Sequence, residues 1–320
     1  RLDHAMSAPK RVNANWIGLV SSAFYNQVSP VPVISHHNND LSLTDEGHYA
    51  AIINAAKKQG LKIAQTESLS PGFSLLSPEQ IDSFKTSMND PQWWDAWFEE
   101  WKNWLVPRAA RAEKYNVDML VIYLYPEDSF RQDIYPDYDK KWREIIKEVK
   151  KVYNGQVAIN LINADQRLTF YDDLDAILIT VFDGLYTSRP GGIANRKNPT
   201  MQELRALTED FFYNPRSLFA GKIPVYYVLT FSSTDGQEFS EDPDKRGNTD
   251  FEEQALYYEA FFRAMEDEAW IRGIFSERWD WFDQYKRPAT KEARYYDQTN
   301  GPSPRNKPAE KVVKAWYKAT

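Results

Sequence analysis

Two hydrophobic patterns alternate along this chain. Short, nearly continuous runs of apolar and β-branched residues predict strands that are covered on both faces. They lie at residues 15–20, 61–66, 117–125, 156–161, 176–182, 224–231 and 271–277. Longer segments with apolar residues at helical spacing lie at residues 45–59, 78–88, 93–115, 136–153, 201–212, 251–267 and 308–318. Their alternation predicts βαβ units and a parallel sheet.

The chain length fits one (β/α)8 TIM barrel, a fold that typically needs about 250 residues and grows with loop insertions. We therefore expect a single barrel domain over residues 1–320. Only seven strands are evident, and residues 2–13 have the pattern of a helix that leads into the first of them. The first barrel strand is therefore expected upstream of Arg1. Pro107, inside the segment 93–115, predicts a kink or a break in that helix.

Composition narrows the class of partner. A net charge of −7 and a pI near 5.3 argue against nucleic acid, which selects basic surfaces. No apolar run approaches the ~20 residues that span a bilayer. The chain has no cysteine, which excludes disulfides, thiolate metal sites and cysteine nucleophiles. We expect a monomer that is secreted or held at the cell surface, although the sequence shows no signal peptide.

Aromatic residues are abundant in this chain. They make up 15% of the chain and include 11 tryptophans. Most of them are expected in the core, but tryptophan and tyrosine at strand ends also suit the flat apolar faces of sugars. Such side chains at the C-terminal ends of the strands would suit an oligosaccharide or polysaccharide ligand.

Four segments carry a family resemblance. Asn13-Ala14-Asn15-Trp16 begins the first segment, and the others lie at residues 142–155, 254–262 and 303–310. In this order and spacing the chain resembles glycoside hydrolase family 113, whose members are retaining β-mannanase-type barrels. The resemblance runs nearly end to end and implies the barrel fold.

The resemblance also implies two catalytic glutamates, an acid/base at the end of the fourth strand and a nucleophile at the end of the seventh. This chain has Tyr125 at the first position and approximately Leu229 at the second. Neither side chain can act as a carboxylate, and the retaining mechanism needs two carboxylates ~5 Å apart. The site must therefore be argued from other residues.

Three acids are candidate catalytic residues. Glu277 lies at the end of the last strand, on its inner side, as a base or a sugar ligand. Glu127 lies two residues beyond Tyr125 and is a candidate general acid, and Asp183 follows the sixth strand. Opposed strand ends can provide the ~6.5–9.5 Å carboxylate separation of inverting glycosidases. The alternatives are a solvated loop acid at Glu127 and an ion pair between Glu277 and an arginine.

Further residues at strand ends are expected to line the sugar cleft. They are polar or aromatic side chains that can donate hydrogen bonds to sugar hydroxyls or stack on sugar rings. The predicted substrate-binding residues are Glu67, Tyr123, Tyr125, Tyr227, Trp279 and Trp281.

Residues 242–253 have the spacing of a twelve-residue calcium loop followed by a helix. The predicted ligands of this structural calcium are Asp242, Asp244, Asp250 and Glu253. Arg246 is a poor ligand at the fifth position, so the alternative is a solvated acidic loop that begins a helix. No cofactor is required by the expected chemistry.

The sequence leaves three functions open. The first is hydrolysis of a poly- or oligosaccharide by a non-standard carboxylate pair. The second is a carbohydrate-binding pseudoenzyme that keeps the cleft without the chemistry. The third is a barrel subunit that serves mainly as a scaffold.

Overall fold

A computed structural model describes residues 2–34, 45–70, 76–125, 131–162, 167–182, 198–237, 247–279 and 301–317. The helices are α1 (Leu2–Arg11), α2 (Glu46–Lys58), α3 (Pro78–Ser87), α4 (Pro91–Lys114), α5 (Tyr138–Val152), α6 (Met201–Phe219), α7 (Phe251–Met265) and α8 (Pro308–Trp316). The strands are β1 (Trp16–Gln27), β2 (Val33–Ile34), β3 (Lys62–Ser70), β4 (Met119–Tyr123), β5 (Gln156–Leu161), β6 (Ala176–Phe182), β7 (Val225–Thr230) and β8 (Ile271–Ser276).

The strands form one eight-stranded sheet in the order β2-β1-β3-β4-β5-β6-β7-β8. Strand β1 pairs parallel with β3, β3 with β4, β4 with β5, and β7 with β8. The short strand β2 pairs antiparallel with β1. The mostly parallel sheet alternates with helices, which confirms the predicted (β/α)8 barrel fold class.

All seven strands expected from the hydrophobic pattern are present, and α1 leads into β1 as expected. Strand β2 was not expected, because two residues are too few to show a periodicity. Strands β1 and β3 run further than expected, to Gln27 and Ser70. The pattern missed these ends because both carry polar residues.

Capping side chains fix the starts of most helices. Ser77 and Thr200 begin α3 and α6 with capping boxes, in which the side chains of Gln80 and Glu203 bond back to the cap. Each box pairs two backbone N–H groups that the helix itself leaves free. The other side-chain caps, at the starts of α2, α4 and α7, are Asp45, Asp90 and Asp250.

The chain divides into two compact units, residues 16–178 and residues 1–15 with 179–320. In the first unit, helices α4 and α5 pack through a tryptophan cluster. Trp97 contacts Trp101 and Trp142 with ring centroids 5.9 and 5.7 Å apart, and all three side chains are buried. These tryptophans are therefore core residues and not sugar platforms. The single domain over residues 1–320 stays a prediction.

Helix α4 continues through Pro107, so the predicted break is absent. A proline inside a helix costs ~3 kcal/mol or more because it removes a hydrogen bond and crowds the preceding turn. Burial of the tryptophans offsets this cost, since each large side chain removed from water contributes about 1.5–3 kcal/mol. The buried tryptophans of α4 are Trp93, Trp94, Trp97, Trp101 and Trp104.

In the second unit, β7 and β8 pack against α6 and α7. Tyr227 is fully buried among Phe212, Phe261 and Trp270, with ring centroids 5.3–6.2 Å away. Among the helices that the structure describes, none is both long enough and apolar enough to cross a membrane.

Candidate functional site

Each parallel strand has one face toward its helices and an inner face turned away from them. On β3, the side chains of Gln65 and Glu67 point to the helices, where Tyr49 of α2 and Arg108 of α4 contact them. Successive strand residues alternate between faces, so Ser68 lies on the inner face. Residues that are paired in register on adjacent parallel strands lie on the same face of the sheet. The residues in register with Ser68 on the neighbouring strands therefore also lie on the inner face.

A row of neutral polar residues crosses the inner face of four strands, midway along β1 and near the C-terminal ends of β3, β4 and β5. Ser22 is in register with Ser68, Ser68 with Tyr123, and Tyr123 with Asn160. The hydroxyls of Ser22 and Ser68 are hydrogen-bonded at 2.7 Å. We call these four residues the serine–tyrosine row. Ser22 and Tyr123 are partly exposed and can bind sugar hydroxyls, whereas Ser68 and Asn160 are buried.

Two predicted substrate-binding residues belong to this region. Tyr123 is part of the serine–tyrosine row, and Tyr125 follows on the same face with its ring centroid 5.0 Å from that of Tyr123. The two rings meet edge to face, and both side chains are partly exposed. An accessible aromatic pair at a strand end suits a sugar ring better than a buried one.

In the other unit, Glu277 lies directly after β8. The register of β7 and β8 places it beside Thr230, and the Thr230 hydroxyl donates a hydrogen bond to the Glu277 carboxylate. The Glu277 amide donates to the carbonyl of Leu229 at 2.9 Å. Glu277 is partly exposed, and among the described residues it forms no ion pair with an arginine. The carboxylate is thus oriented on the inner face by its neighbour on β7.

The backbone turns sharply after Glu277. Arg278 has φ 55°, in the left-handed region that non-glycine residues rarely adopt. Such conformations cost about 1–3 kcal/mol and are concentrated at functional sites. The turn brings the chain to Trp279, whose side chain is partly buried. Within the part of the chain that the structure describes, the indole N–H of Trp279 has no hydrogen-bond partner.

Two expected site positions on β7 face the helices. Tyr227 is fully buried in the aromatic core described above, away from the inner face where a sugar was expected. Leu229 is also fully buried and alternates onto the same side. The inner-face residue at the end of β7 is therefore Thr230, one position beyond the predicted one.

Glu67 is also turned toward the helices and has no solvent exposure. Its carboxylate accepts a hydrogen bond from the Gln65 amide at 2.5 Å and lies 3.0 Å from Arg108 Nε. Burial raises its pKa to about 7, against the opposing effects of Arg108, Gln65, Arg111 and Ser21. A sugar could bind Glu67 only by displacing these protein partners.

The predicted calcium ligands are only partly within the described residues. Asp250 and Glu253 lie together with Asp235, and one carboxylate oxygen of each is within 4.8 Å of the others. Asp235 was not expected, because it lies outside the twelve-residue loop spacing. The predicted residues that lie outside the described part of the chain are Glu127, Asp183, Asp242, Asp244 and Trp281.

Comparison with known proteins gives one matching family model and several solved structures of the same fold. Residues 2–300 match Glycoside Hydrolase Family 113. The structure of a GH113 β-1,4-mannanase complex is similar, with a TM-score of 0.70 and 21% sequence identity, over 100% of this chain and 93% of that one. The GH113 β-mannanase AaManA from Alicyclobacillus acidocaldarius, in complex with ManMIm, has a TM-score of 0.65 and 20% identity over 99% and 91%.

A more distant structure is the exo-β-1,4-mannosidase Op5Man5 from Opitutaceae bacterium strain TAV5. Its TM-score is 0.60 at 10% identity, over 99% of this chain and 55% of that one. No curated protein matches the chain. At these identities the solved structures bear on the fold alone, whereas the family match extends over most of the sequence. The chain belongs to glycoside hydrolase family 113.

Proposed function

We propose that the chain binds a poly- or oligosaccharide at the C-terminal ends of its parallel strands and hydrolyses a glycosidic bond there, with Glu277 as one of two carboxylates. The observation that carries the proposal is the Thr230–Glu277 pair on the inner face of β7 and β8. Family membership supports saccharide binding, because related barrels place their ligands at the same strand ends.

Glu277 is proposed as the base that activates water. Thr230 holds its carboxylate by a hydrogen bond, and the left-handed Arg278 fixes the backbone that follows. The partner acid is proposed to be Glu127 or Asp183, each of which follows an expected strand. Two carboxylates ~6.5–9.5 Å apart invert the anomeric configuration with a water between them, and this chemistry needs no cofactor.

The proposed ligand class is a β-1,4-linked mannose-containing chain, since similar structures are named as β-1,4-mannanases and an exo-β-1,4-mannosidase. The retaining route is not proposed, because the resemblance expects glutamates at the ends of β4 and β7, where the inner face carries Tyr125 and Thr230 and neither side chain is a carboxylate. A polysaccharide ligand also favours a location outside the cell or at its surface.

A second candidate is a carbohydrate-binding pseudoenzyme. It is favoured by the serine–tyrosine row, whose partly exposed Ser22 and Tyr123 present a hydroxyl and a phenol but no carboxylate. Such a surface can bind sugar hydroxyls without protonating or attacking a glycosidic bond. Under this alternative Glu277 would be a sugar ligand and not a base.

Product analysis with β-1,4-mannooligosaccharides distinguishes these functions. The full chain is incubated with mannohexaose, and the anomeric proton signals of the first products are followed by NMR. We expect the inverted anomer to appear first. First products that retain the anomeric configuration would refute the proposed inverting carboxylate pair. Binding by calorimetry without cleavage would favour the pseudoenzyme, and neither binding nor cleavage across a panel of β-linked glucans, xylans and mannans would favour a scaffold.

A further inference from the structure

The segment after β7 pairs with the segment before α7. The amide of Asp235 donates to the carbonyl of Asn248 at 2.7 Å, and the amide of Asp250 donates to the carbonyl of Ser233 at 2.9 Å. An isolated antiparallel bridge joins Thr234 to Thr249 between them. These bonds hold Asp235 and Asp250 in a fixed relative position.

Helix α7 adds the third acid. Asp250 caps this helix by accepting a hydrogen bond from the amide of Glu253 at 2.8 Å, so Glu253 lies one turn above it. One carboxylate oxygen from each of Asp235, Asp250 and Glu253 is within 4.8 Å of the other two. We call these three residues the acidic cluster.

Acidic residues are common at helix N-termini, because the helix dipole favours negative charge there, so their presence alone does not indicate a metal site. Glu253 differs from an ordinary N-terminal acid because it is only 4% exposed. Its Oε2 accepts from the amides of Gly236 and Asn198 at 3.2 and 3.5 Å. Its buried Oε1 has no hydrogen-bond partner among the described residues.

A buried carboxylate oxygen without a partner is costly, and two neighbouring carboxylates increase the cost. Within the part of the chain that the structure describes, neither Asp250 nor Glu253 forms an ion pair with a basic residue. A bound cation would satisfy the free oxygen and remove the repulsion.

The geometry points to a calcium site formed by Asp235, Asp250 and Glu253. Oxygen ligands select hard cations, and Ca²⁺ binds them at about 2.3–2.6 Å, so oxygens on opposite sides of one ion can be about 5 Å apart. Mg²⁺ demands near-ideal octahedral geometry and usually keeps several waters, whereas Ca²⁺ accepts flexible sites built from protein carboxylates. Three protein carboxylates whose oxygens lie within 4.8 Å of one another therefore favour Ca²⁺ by ligand chemistry.

The ion would join the loop that follows the inner-face residue Thr230 to the helix that leads into β8. Its predicted role is to stabilise the two segments that flank the Thr230–Glu277 pair. The site does not depend on the proposed hydrolysis, because none of its residues touches Glu277 in the described structure.

The test uses the full chain after treatment with EDTA and dialysis. Bound calcium is measured by equilibrium dialysis, and the melting temperature is compared in EDTA, CaCl₂ and MgCl₂. We expect one tightly bound Ca²⁺ and, at about 100 times Kd, a rise in Tm of about 4 °C. Glu253→Gln should lose the bound ion and the rise, and Asp235→Asn should weaken both.

Glu252→Gln is the matched control. It removes one negative charge from the same helical turn, but Glu252 is exposed and outside the acidic cluster. This variant should bind Ca²⁺ as the wild type does. Absence of bound calcium at millimolar CaCl₂ in the folded wild type would overturn the proposal. Equal loss in Glu252→Gln, or an equal response to MgCl₂, would also contradict it.

Discussion

Arg108 Nε lies 3.0 Å from Oε2 of the fully buried Glu67. Glu67 also accepts from Gln65, which in turn accepts from the Tyr49 hydroxyl at 2.5 Å. Glu67, although near a strand end, is therefore part of a structural hydrogen-bond and ion-pair network that joins the sheet to helices α2 and α4. Its position in the sequence alone resembled that of a sugar ligand.

The titration of Glu67 predicts a pH dependence of stability. Its pKa is raised from the ordinary value of 4.5 to about 7, so between these values the folded protein binds more protons at Glu67 than the unfolded chain does. The contribution of Glu67 to the free energy of unfolding is therefore highest below pH 4.5, falls as the pH rises to about 7, and is constant above that pH. The charged groups that face it are Arg108 and Arg111 on α4, and Tyr49 on α2 remains a neutral phenol across this range.

The measurement is the free energy of urea unfolding from pH 4.5 to pH 8. The difference between wild type and Glu67→Gln should change by about 3 kcal/mol across that range. Glu99→Gln, at an exposed position, is the control and should follow the wild type. A pH-independent difference between wild type and Glu67→Gln would contradict the raised pKa.

The ion pair also predicts strong coupling between its partners. Arg108→Met keeps an apolar contact with the Trp104 ring but leaves a buried carboxylate unpaired, so at pH 8 it should cost about 3–5 kcal/mol. Adding Glu67→Gln should recover at least about 1 kcal/mol of that loss. A double-mutant cycle of unfolding free energies checks this, and additive effects would show that the two residues do not stabilise each other.

Two glycines predict opposite responses to alanine. A Cβ at Gly155 would overlap the phenol of Tyr153, a buried side chain whose hydroxyl donates to the Val117 carbonyl at 2.9 Å. Gly155→Ala should therefore destabilise by about 1–3 kcal/mol. A Cβ at Gly18 meets no atom within 4 Å, so Gly18→Ala should be neutral or slightly stabilising. Urea unfolding curves compare the two, and equal effects would argue against the packing around Tyr153.

The paired tyrosines on the inner face predict a sugar-binding contribution. Tyr123→Ala and Tyr125→Ala should each weaken the affinity for a bound oligosaccharide about 5-fold to 10-fold, because each removes part of an accessible aromatic surface. Tyr213→Ala is the control, since Tyr213 is 70% exposed on α6 and outside this region. Titration calorimetry compares them. If both inner-face variants keep the wild-type affinity, the oligosaccharide does not bind at Tyr123 and Tyr125.

Much of the fold was predictable from the sequence. Parallel strands covered on both faces produce continuous apolar runs, and all seven such runs became strands. The same continuity hides which face a residue occupies. Tyr227 was therefore expected near the sugar, although it packs against aromatic residues of α6 and α7.

The site was less predictable because its geometry depends on residues distant in sequence. Glu67 is turned to the helices by Arg108, and Asp235 joins Asp250 through backbone pairing that no local spacing reveals. The inner-face position of Glu277 at the end of β8 was predictable from strand alternation, whereas its role in a site stays a prediction. The pairing of Glu277 with Thr230 depends on the register between β7 and β8, which the sequence alone does not specify.

Hydrolysis by Glu277→Gln is the most direct test of the proposed function. The initial rate of oligosaccharide cleavage is compared with that of the wild type, at substrate concentrations that saturate both. We expect cleavage by the wild type and a loss of about 10²–10⁴-fold in kcat for the variant, with binding largely retained. Cleavage by the variant at a near wild-type rate, or no cleavage by the wild type of any glycan that it binds, would contradict the account.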